Sequence, residues 1–431
     1  MVQPLSQSAQ RGVLVLAALL STLFLSYFSI RNALAAHFAA SQTPQGIERA
    51  IRLEPGDARN WYQLGRYWQY HLEDSDVPRA IRAYFSALSL NPHSAEAWLD
   101  LATAYESEGN LTAARDDFLH AKKAYPLSAE VSWRYGNFLL RQGELEAAFL
   151  EMRHAVEADP KRGAEAFSRA LRAEPNLEKT LDRVLPPRPQ VYVDVIWDQT
   201  TDGNIDNALK VWDRLAAIRP RLLLYDAFVL TDALIYRKRM YEAQRVWEQA
   251  VIFSGFSGLP APPGSLLWDG GFESGISGGG FSWFIPPDSV DPQISMDSQE
   301  KHSGSRSLRL MFNGKSNVNF TGVCHFVPVQ PSAAYQFSAW VRTRSLTTDQ
   351  GVRFQLRSFG PQGMSAAVTS DVHGSEPWTR VEMPWFSGTD VQRAQVCLAR
   401  LPSEQPENKI QGTAWVDDVA LVPIASERSQ P

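Results

Sequence analysis

Hydrophobic and polar positions follow three successive rhythms along this chain. From Gly12 to Ile30 no residue is charged, and the segment is apolar on every side. As a helix it would be about 28 Å long, close to the hydrocarbon thickness of a bilayer. Arg11 and Arg31 bracket it, and Tyr27 stands near one end, as interfacial residues do. This predicts a transmembrane helix over residues 12–30 within an N-terminal segment 1–43. The competing reading is a cleaved signal peptide, because Ala33-Leu34-Ala35 has the small-x-small form of a cleavage site. The apolar run is longer than a usual signal core, which favours an uncleaved anchor. Both readings carry the rest of the chain through the inner membrane, giving an inner-membrane-anchored protein whose bulk is periplasmic or extracytoplasmic. Charge bias across the segment is weak, so orientation is an expectation only.

From residue 44 to 254 the apolar positions recur at helical spacing. Pro92, Pro126 and Pro160 stand 34 residues apart, a period typical of paired antiparallel helices. Between Ala95 and Ser128 the markers are Trp98, Leu101, Ala102 and Tyr105, then the turn Gly109-Asn110, then Ala114, Phe118 and Ala121. The preceding unit carries Trp61, Leu64, Gly65 and Trp68, followed by Ala80, Tyr84 and Ala87. The following one carries Tyr135, Gly136, Ala148, Met152 and Ala155, with Ser132 where an aromatic marker is expected. Ile47, Ala50 and Pro55 read as the second half of an incomplete repeat. Phe167, Ala170 and Pro175 read as another half, and Ala208, Trp212, Leu215, Ala243 and Trp247 restore the pattern after the break at Pro186-Pro187-Arg188-Pro189. This series resembles the tetratricopeptide repeat family. The resemblance implies an all-α solenoid over 44–254 whose concave groove takes a protein partner. The aromatics are expected to be its core.

Gly255 to Gly264 is a Pro/Gly linker in which neither helix nor central strand is expected. Beyond it the period changes to two, as in Ser307–Phe312, Tyr335–Arg342 and Val352–Leu356, with further strand-like runs at 318–327, 379–383, 395–400 and 414–422. Eight or more strands over 265–424 predict an all-β sandwich, with 425–431 as a tail. Five local motifs occur in order: Leu267–Glu273, His302–Leu308, Tyr335–Arg342, Trp378–Val381 and Ala414–Val419. Together they resemble the carbohydrate-binding modules with a galactose-binding-like jelly roll.

That resemblance implies a structural calcium where Glu273, Ser303 and Asp417 meet, residue types suited to an oxygen-loving cation. The competing reading is that these residues make loop hydrogen bonds. It also implies a polysaccharide ligand on exposed aromatics. Trp340, Trp378 and Trp415 lie within the structural motifs and are read as core. Trp283 and Phe284, after the glycine run Gly278-Gly279-Gly280, and Trp385 at a strand end are the candidates for a carbohydrate-binding platform. Cys324 and Cys397 both fall in strand-like runs, and either a disulfide or two buried thiols fits.

Hydrophobic residues make up 44% and charged residues 21%, which excludes wholesale disorder, and the net charge of −5 gives no general case for nucleic-acid binding. The eight histidines form no H-E-x-x-H pair, and there is neither a phosphate-binding G-x-x-x-x-G-K-[ST] loop nor a G-x-S-x-G elbow. The reading is therefore a non-catalytic, membrane-anchored envelope protein that joins a protein partner to a glycan, in polysaccharide assembly or export. A purely structural protein–protein scaffold is the alternative, and a glycan-processing enzyme is third.

Overall fold

The computed structural model describes residues 7–255, 263–285, 291–361 and 363–424. Most of the expected linker and the 425–431 tail lie outside the described residues. The chain forms two compact units, one ending at Pro186 and the other beginning at Pro187.

The first unit is built from helical pairs. α1 (Gln7–Ala39) and α2 (Pro44–Leu53) form the first, followed by α3 (Ala58–Tyr70) with α4 (Val77–Leu90) and α5 (Ala95–Ser107) with α6 (Leu111–Ala124). α7 (Ala129–Arg141) with α8 (Leu145–Ala158) and α9 (Gly163–Ala173) with α10 (Leu177–Val184) complete it. Helix starts are set by side chains that satisfy otherwise unpaired N–H groups. Asp76 accepts from Arg79 N at 2.9 Å, Asn110 from Ala113 N at 3.2 Å and Ser128 from Val131 N at 3.3 Å. Each such cap contributes about 1 kcal/mol. Small residues set the helix spacing: a side chain at Gly65 would overlap the ring of Tyr84.

A repeated tryptophan device underlies the 34-residue period. Trp61 Nε1 donates to the Pro55 carbonyl at 3.2 Å, and Trp98 Nε1 donates to the Pro92 carbonyl at 2.9 Å. Each indole ties a first helix to the proline that closes the unit before it. At the next unit the equivalent position is Ser132, and Trp133 takes a different role described below.

The half-repeat at Ile47 and Ala50 is not a half. Its first helix is the end of α1, which packs along α2; Ala35 is buried there, as are Ile47, Ala50 and Ile51 on α2. The long apolar helix thus runs without a break into the first repeat. Its residues from Val13 to Ile30 are almost all exposed, and the span Arg11–Ala39 is long and apolar enough to cross a membrane.

The second unit contains both helices and sheets. α11 (Pro189–Thr201), α12 (Ile205–Ala217), α13 (Phe228–Tyr236) and α14 (Met240–Ser254) precede nine strands. These are β1 (Gln293–Asp297), β2 (Ser307–Asn313), β3 (Phe320–Pro328), β4 (Ala334–Arg344), β5 (Arg353–Gly360), β6 (Gly363–Val368), β7 (Thr379–Phe386), β8 (Arg393–Arg400) and β9 (Gln411–Pro423). They pair antiparallel in a five-stranded sheet ordered β1-β2-β9-β4-β7 and a four-stranded sheet ordered β3-β8-β5-β6. Alternation along β4 puts Tyr335, Phe337, Ala339 and Val341 inward, where they meet Phe354, Leu356 and Val396 of the opposite sheet. Edge strands β1 and β6 escape the sequence reading because their exposure barely alternates.

The expected boundary at 255–264 therefore does not separate helices from sandwich. The glycine run packs against the last helical pair instead. A Cβ at Gly279 would overlap Phe228 of α13, and one at Gly280 would overlap Trp247 of α14. Gly280, at a φ of 60°, donates its N–H to Asp232 Oδ1 at 2.7 Å. Only glycine allows so close an approach in that conformation. Arg393 of β8 also donates to the Ile235 carbonyl at 2.9 Å.

Candidate functional site

In the first unit one carboxylate gathers groups from three successive first helices. Asp100 of α5 is 5% exposed. Its Oδ2 accepts from the Tyr62 hydroxyl at 2.8 Å, and its Oδ1 accepts from Arg134 Nη1 at 2.9 Å and the Tyr70 hydroxyl at 3.3 Å. Arg66 Nε stands 3.8 Å away. Arg134 is fixed further by the Leu99 carbonyl at 3.0 Å and Thr103 Oγ1 at 2.7 Å. Burial, then the Asp100 charge, pushes the Tyr62 and Tyr70 hydroxyls up, so both remain donors. Burial pulls the Arg134 guanidinium down, but Asp100 outweighs it and raises the net value.

The polar strip continues on the next pairs. Arg169 Nη1 donates to Asn137 Oδ1 at 2.9 Å, and the Arg162 and Arg169 guanidiniums lie 5.3 and 5.2 Å from the Trp133 ring. That geometry is a cation–π clamp. At the α1 end the strip opens into a cavity of about 950 Å³ lined by Asn60, Gln63, Arg66, Tyr67 and Tyr70 among others. None of these residues stood out in the sequence, because a lone Asp or Tyr inside a helix carries no periodic signal.

On the sandwich, the structure moves two of the three expected platform aromatics inside. Trp283 is 1% exposed, donates to the Asp269 carbonyl at 2.9 Å and packs against Phe272 and His325. Trp385 is buried against Tyr335, because alternation on β7 turns it inward. Phe284 is half-buried, bridged to Cys324 through the backbone and stacked on Phe326 at 5.4 Å. The expectation of core tryptophans is also corrected in part. Trp415 is buried and donates to Asp297 at 2.9 Å, but Trp340 and Trp378 are half-buried on the outer side of the five-stranded sheet. His302 stacks on Trp340 at 4.0 Å and meets Trp378 edge-on at 5.7 Å.

Glu273, Ser303 and Asp417 do converge, around Gly271, with Asp418 beside them. Asp417 Oδ2 accepts from His302 N at 2.8 Å and Ser303 N at 3.1 Å. Glu273 Oε1 accepts from Ser305 N at 2.8 Å, and the Ser305 hydroxyl donates to its other oxygen. Ser303 Oγ donates to Asp418 Oδ1 at 2.7 Å. Burial pushes Glu273 up, but these hydrogen bonds outweigh it and hold it below the usual carboxylate range; burial dominates at Asp417 and raises it. The oxygens face N–H and O–H donors, and among the described residues no group of three or more His, Cys, Asp or Glu is arranged to hold a metal. As they stand, these residues do not fit a calcium ion. Cys324 and Cys397, directly opposite on β3 and β8, are joined as a disulfide.

The outer side of the four-stranded sheet carries a further set that the sequence reading did not single out. Arg357 of β5 pairs in register with Gln395 of β8, which pairs with Phe326 of β3. Arg357 Nε donates to Gln355 Oε1 at 2.8 Å, and the Arg393 guanidinium lies 4.7 Å from the Phe359 ring. Burial holds Arg357 and Arg393 below the ordinary guanidinium value, and neither has a carboxylate partner among the described residues. Arg353 nearby is paired with Asp371 at 3.2 Å.

Comparison with known proteins defines the class of the helical part. Residues 69–128 and 118–163 match the family model of the tetratricopeptide repeat, and the chain carries such repeats there. A curated relative, the general transcriptional corepressor ssn6 of Schizosaccharomyces pombe, is 28% identical over 170 residues, covering 34% of this chain and 15% of that protein. Among solved structures, PilF of Pseudomonas aeruginosa is 20% identical, covering 47% of this chain and 94% of its own, with a TM-score of 0.26. The family-22 xylan-binding domain of Paenibacillus barcinonensis Xyn10C is 12% identical, covering 36% of this chain and 92% of its own, with a TM-score of 0.27. At these scores the structural likenesses carry no function across to this chain.

Proposed function

We propose that this chain is a non-catalytic, membrane-anchored adaptor that holds a protein partner along the repeat strip and a glycan on the outer side of β3-β8-β5-β6, in assembly or export of an envelope polysaccharide. The observation that carries the glycan part is the half-buried pair Gln355 and Arg357 on the outer face of β5, with Phe359 on the same face and the buried Gln395 in register beside Arg357. Amides and a guanidinium suit sugar hydroxyls, and a flanking ring suits a pyranose face. Arg357 has no carboxylate partner among the described residues, so an acidic glycan is the class this face fits best. None of these groups is a general acid or base near neutral pH, which supports the non-catalytic reading. Tetratricopeptide repeats are a protein-interaction architecture, and the Asp100 strip supplies donors and rings for an extended segment. The disulfide supports an exported sandwich, since cytosolic thiols stay reduced.

The alternative of a pure protein scaffold draws on the burial of Trp283 and Trp385 and on Arg393, which is tied to α13. A glycan array probed with the full chain separates the two. Retention of acidic polysaccharides, lost in Arg357→Ala, supports the adaptor; partner capture with no glycan retention supports the scaffold.

A further inference from the structure

α1 and α2 form a hairpin that returns to the end of the apolar run. From Arg31 to Ala39 the helix rises about 12 Å, and α2 then descends about 15 Å in the opposite direction. The turn between them is fixed by Thr43, whose Oγ1 accepts from Gly46 N at 3.2 Å, and by Ser41 Oγ donating to the Phe38 carbonyl at 2.7 Å. The descent brings Arg52 and Leu53 level with Arg31 and Leu34. Between them lies a cavity of about 440 Å³, lined also by Tyr27 and Ile30.

The lining has two kinds of group. Ile30, Leu34 and Leu53 are apolar, while Arg31 and Arg52 are its only charges, and no carboxylate lines it. Neither arginine makes an ion pair among the described residues. Arg31 lies over the Phe28 ring at 4.7 Å, and its Nε is buried without a hydrogen-bond partner. A buried, unpaired guanidinium donor calls for an anion, and guanidinium geometry matches phosphate oxygens. Tyr27 beside it has the ring-and-hydroxyl character of interfacial residues.

We propose that this cavity is a binding site for one anionic phospholipid, with the phosphate held by Arg31 and Arg52 and the first acyl carbons along Ile30, Leu34 and Leu53. The site rests on the reading of residues 12–30 as a membrane anchor. It would fix the first repeat against the bilayer surface.

The test uses the full chain purified in non-ionic detergent and examined by native mass spectrometry. Phosphatidylglycerol is expected to be retained one per chain, on the order of tenfold more than phosphatidylcholine. The Arg31→Gln/Arg52→Gln double variant should lose that preference, while Arg49→Gln, whose guanidinium lies over Phe38 outside the cavity, should keep it. Equal retention by the double variant, equal retention of phosphatidylcholine, or displacement by soluble glycerol phosphate would each overturn the lipid site. Alkaline carbonate washing of membranes tests the anchor separately. Wild type and double variant should both stay in the pellet, and release of the wild type would overturn the anchor and the lipid site together.

Discussion

Arg134 of α7 donates to Asp100 of α5 at 2.9 Å, and this bond links two neighbouring repeats through the polar strip of their first helices. Removing the carboxylate leaves a guanidinium that is only 25% exposed without its charge partner. Asp100→Ala should therefore destabilise the protein by about 3 kcal/mol. Urea unfolding followed by circular dichroism measures it, and a loss below about 0.5 kcal/mol would show that solvent already screens the pair.

Asp117 of α6 is buried, with Oδ2 lacking a hydrogen-bond partner, and burial followed by the Asp116 charge pushes it up to about 7. His120 stands 4.0 Å from its other oxygen. The folded protein thus binds this proton more tightly than the unfolded chain between about pH 4 and 7. Stability from this group falls as pH rises through that window. Asp117→Asn should raise the thermal midpoint at pH 8 and leave it nearly unchanged at pH 4. An equal shift at both pH values would contradict the assignment.

The disulfide between Cys324 and Cys397 closes a separation of 73 residues. A loop of that length is worth about 4 kcal/mol in the chain-entropy account. Thiol titration of the unfolded, unreduced protein should find no free cysteine, and Cys397→Ser should lower the unfolding midpoint accordingly. Two titratable thiols would remove both the bond and the support it gives to export.

The carboxylates around Gly271 already accept protein donors. Calcium should therefore leave the thermal midpoint unchanged, with or without a chelator. A calcium-dependent rise of several degrees would show that the Glu273 and Asp417 loops rearrange into a metal site.

Ala35 is buried within an unbroken α1. Cleavage after it would strip α2 of its partner helix, so the protein isolated from membranes should retain the segment before Ala35. Intact mass distinguishes the two forms, and a mature N-terminus at Ala36 would contradict the anchor.

The repeats were legible because packing and period coincide in them. Trp61 and Trp98 both mark a first helix and both reach the proline six residues earlier, so the same residue types recur. The first half-repeat was not legible as a complete unit. The composition that suits α1 to a bilayer hides the part of it that packs along α2. In the sandwich the period of two located most strands, yet it could not say which face was inside. Trp283 therefore reads as a platform beside flexible glycines, although Gly279 and Gly280 are there to let Phe228 and Trp247 approach. Arg357 and Gln395 escaped notice because their alignment depends on the β5–β8 register, which joins residues far apart in the chain.

The central claim, that the sandwich binds an acidic glycan beside a protein-binding repeat array, is tested most directly by calorimetry of the full chain. The titrants are polygalacturonate and dextran, with Arg357→Ala as the control variant. The account predicts saturable binding to polygalacturonate that weakens with salt and disappears in Arg357→Ala, and none to dextran. Absence of binding to either, or equal binding by the variant, would contradict it.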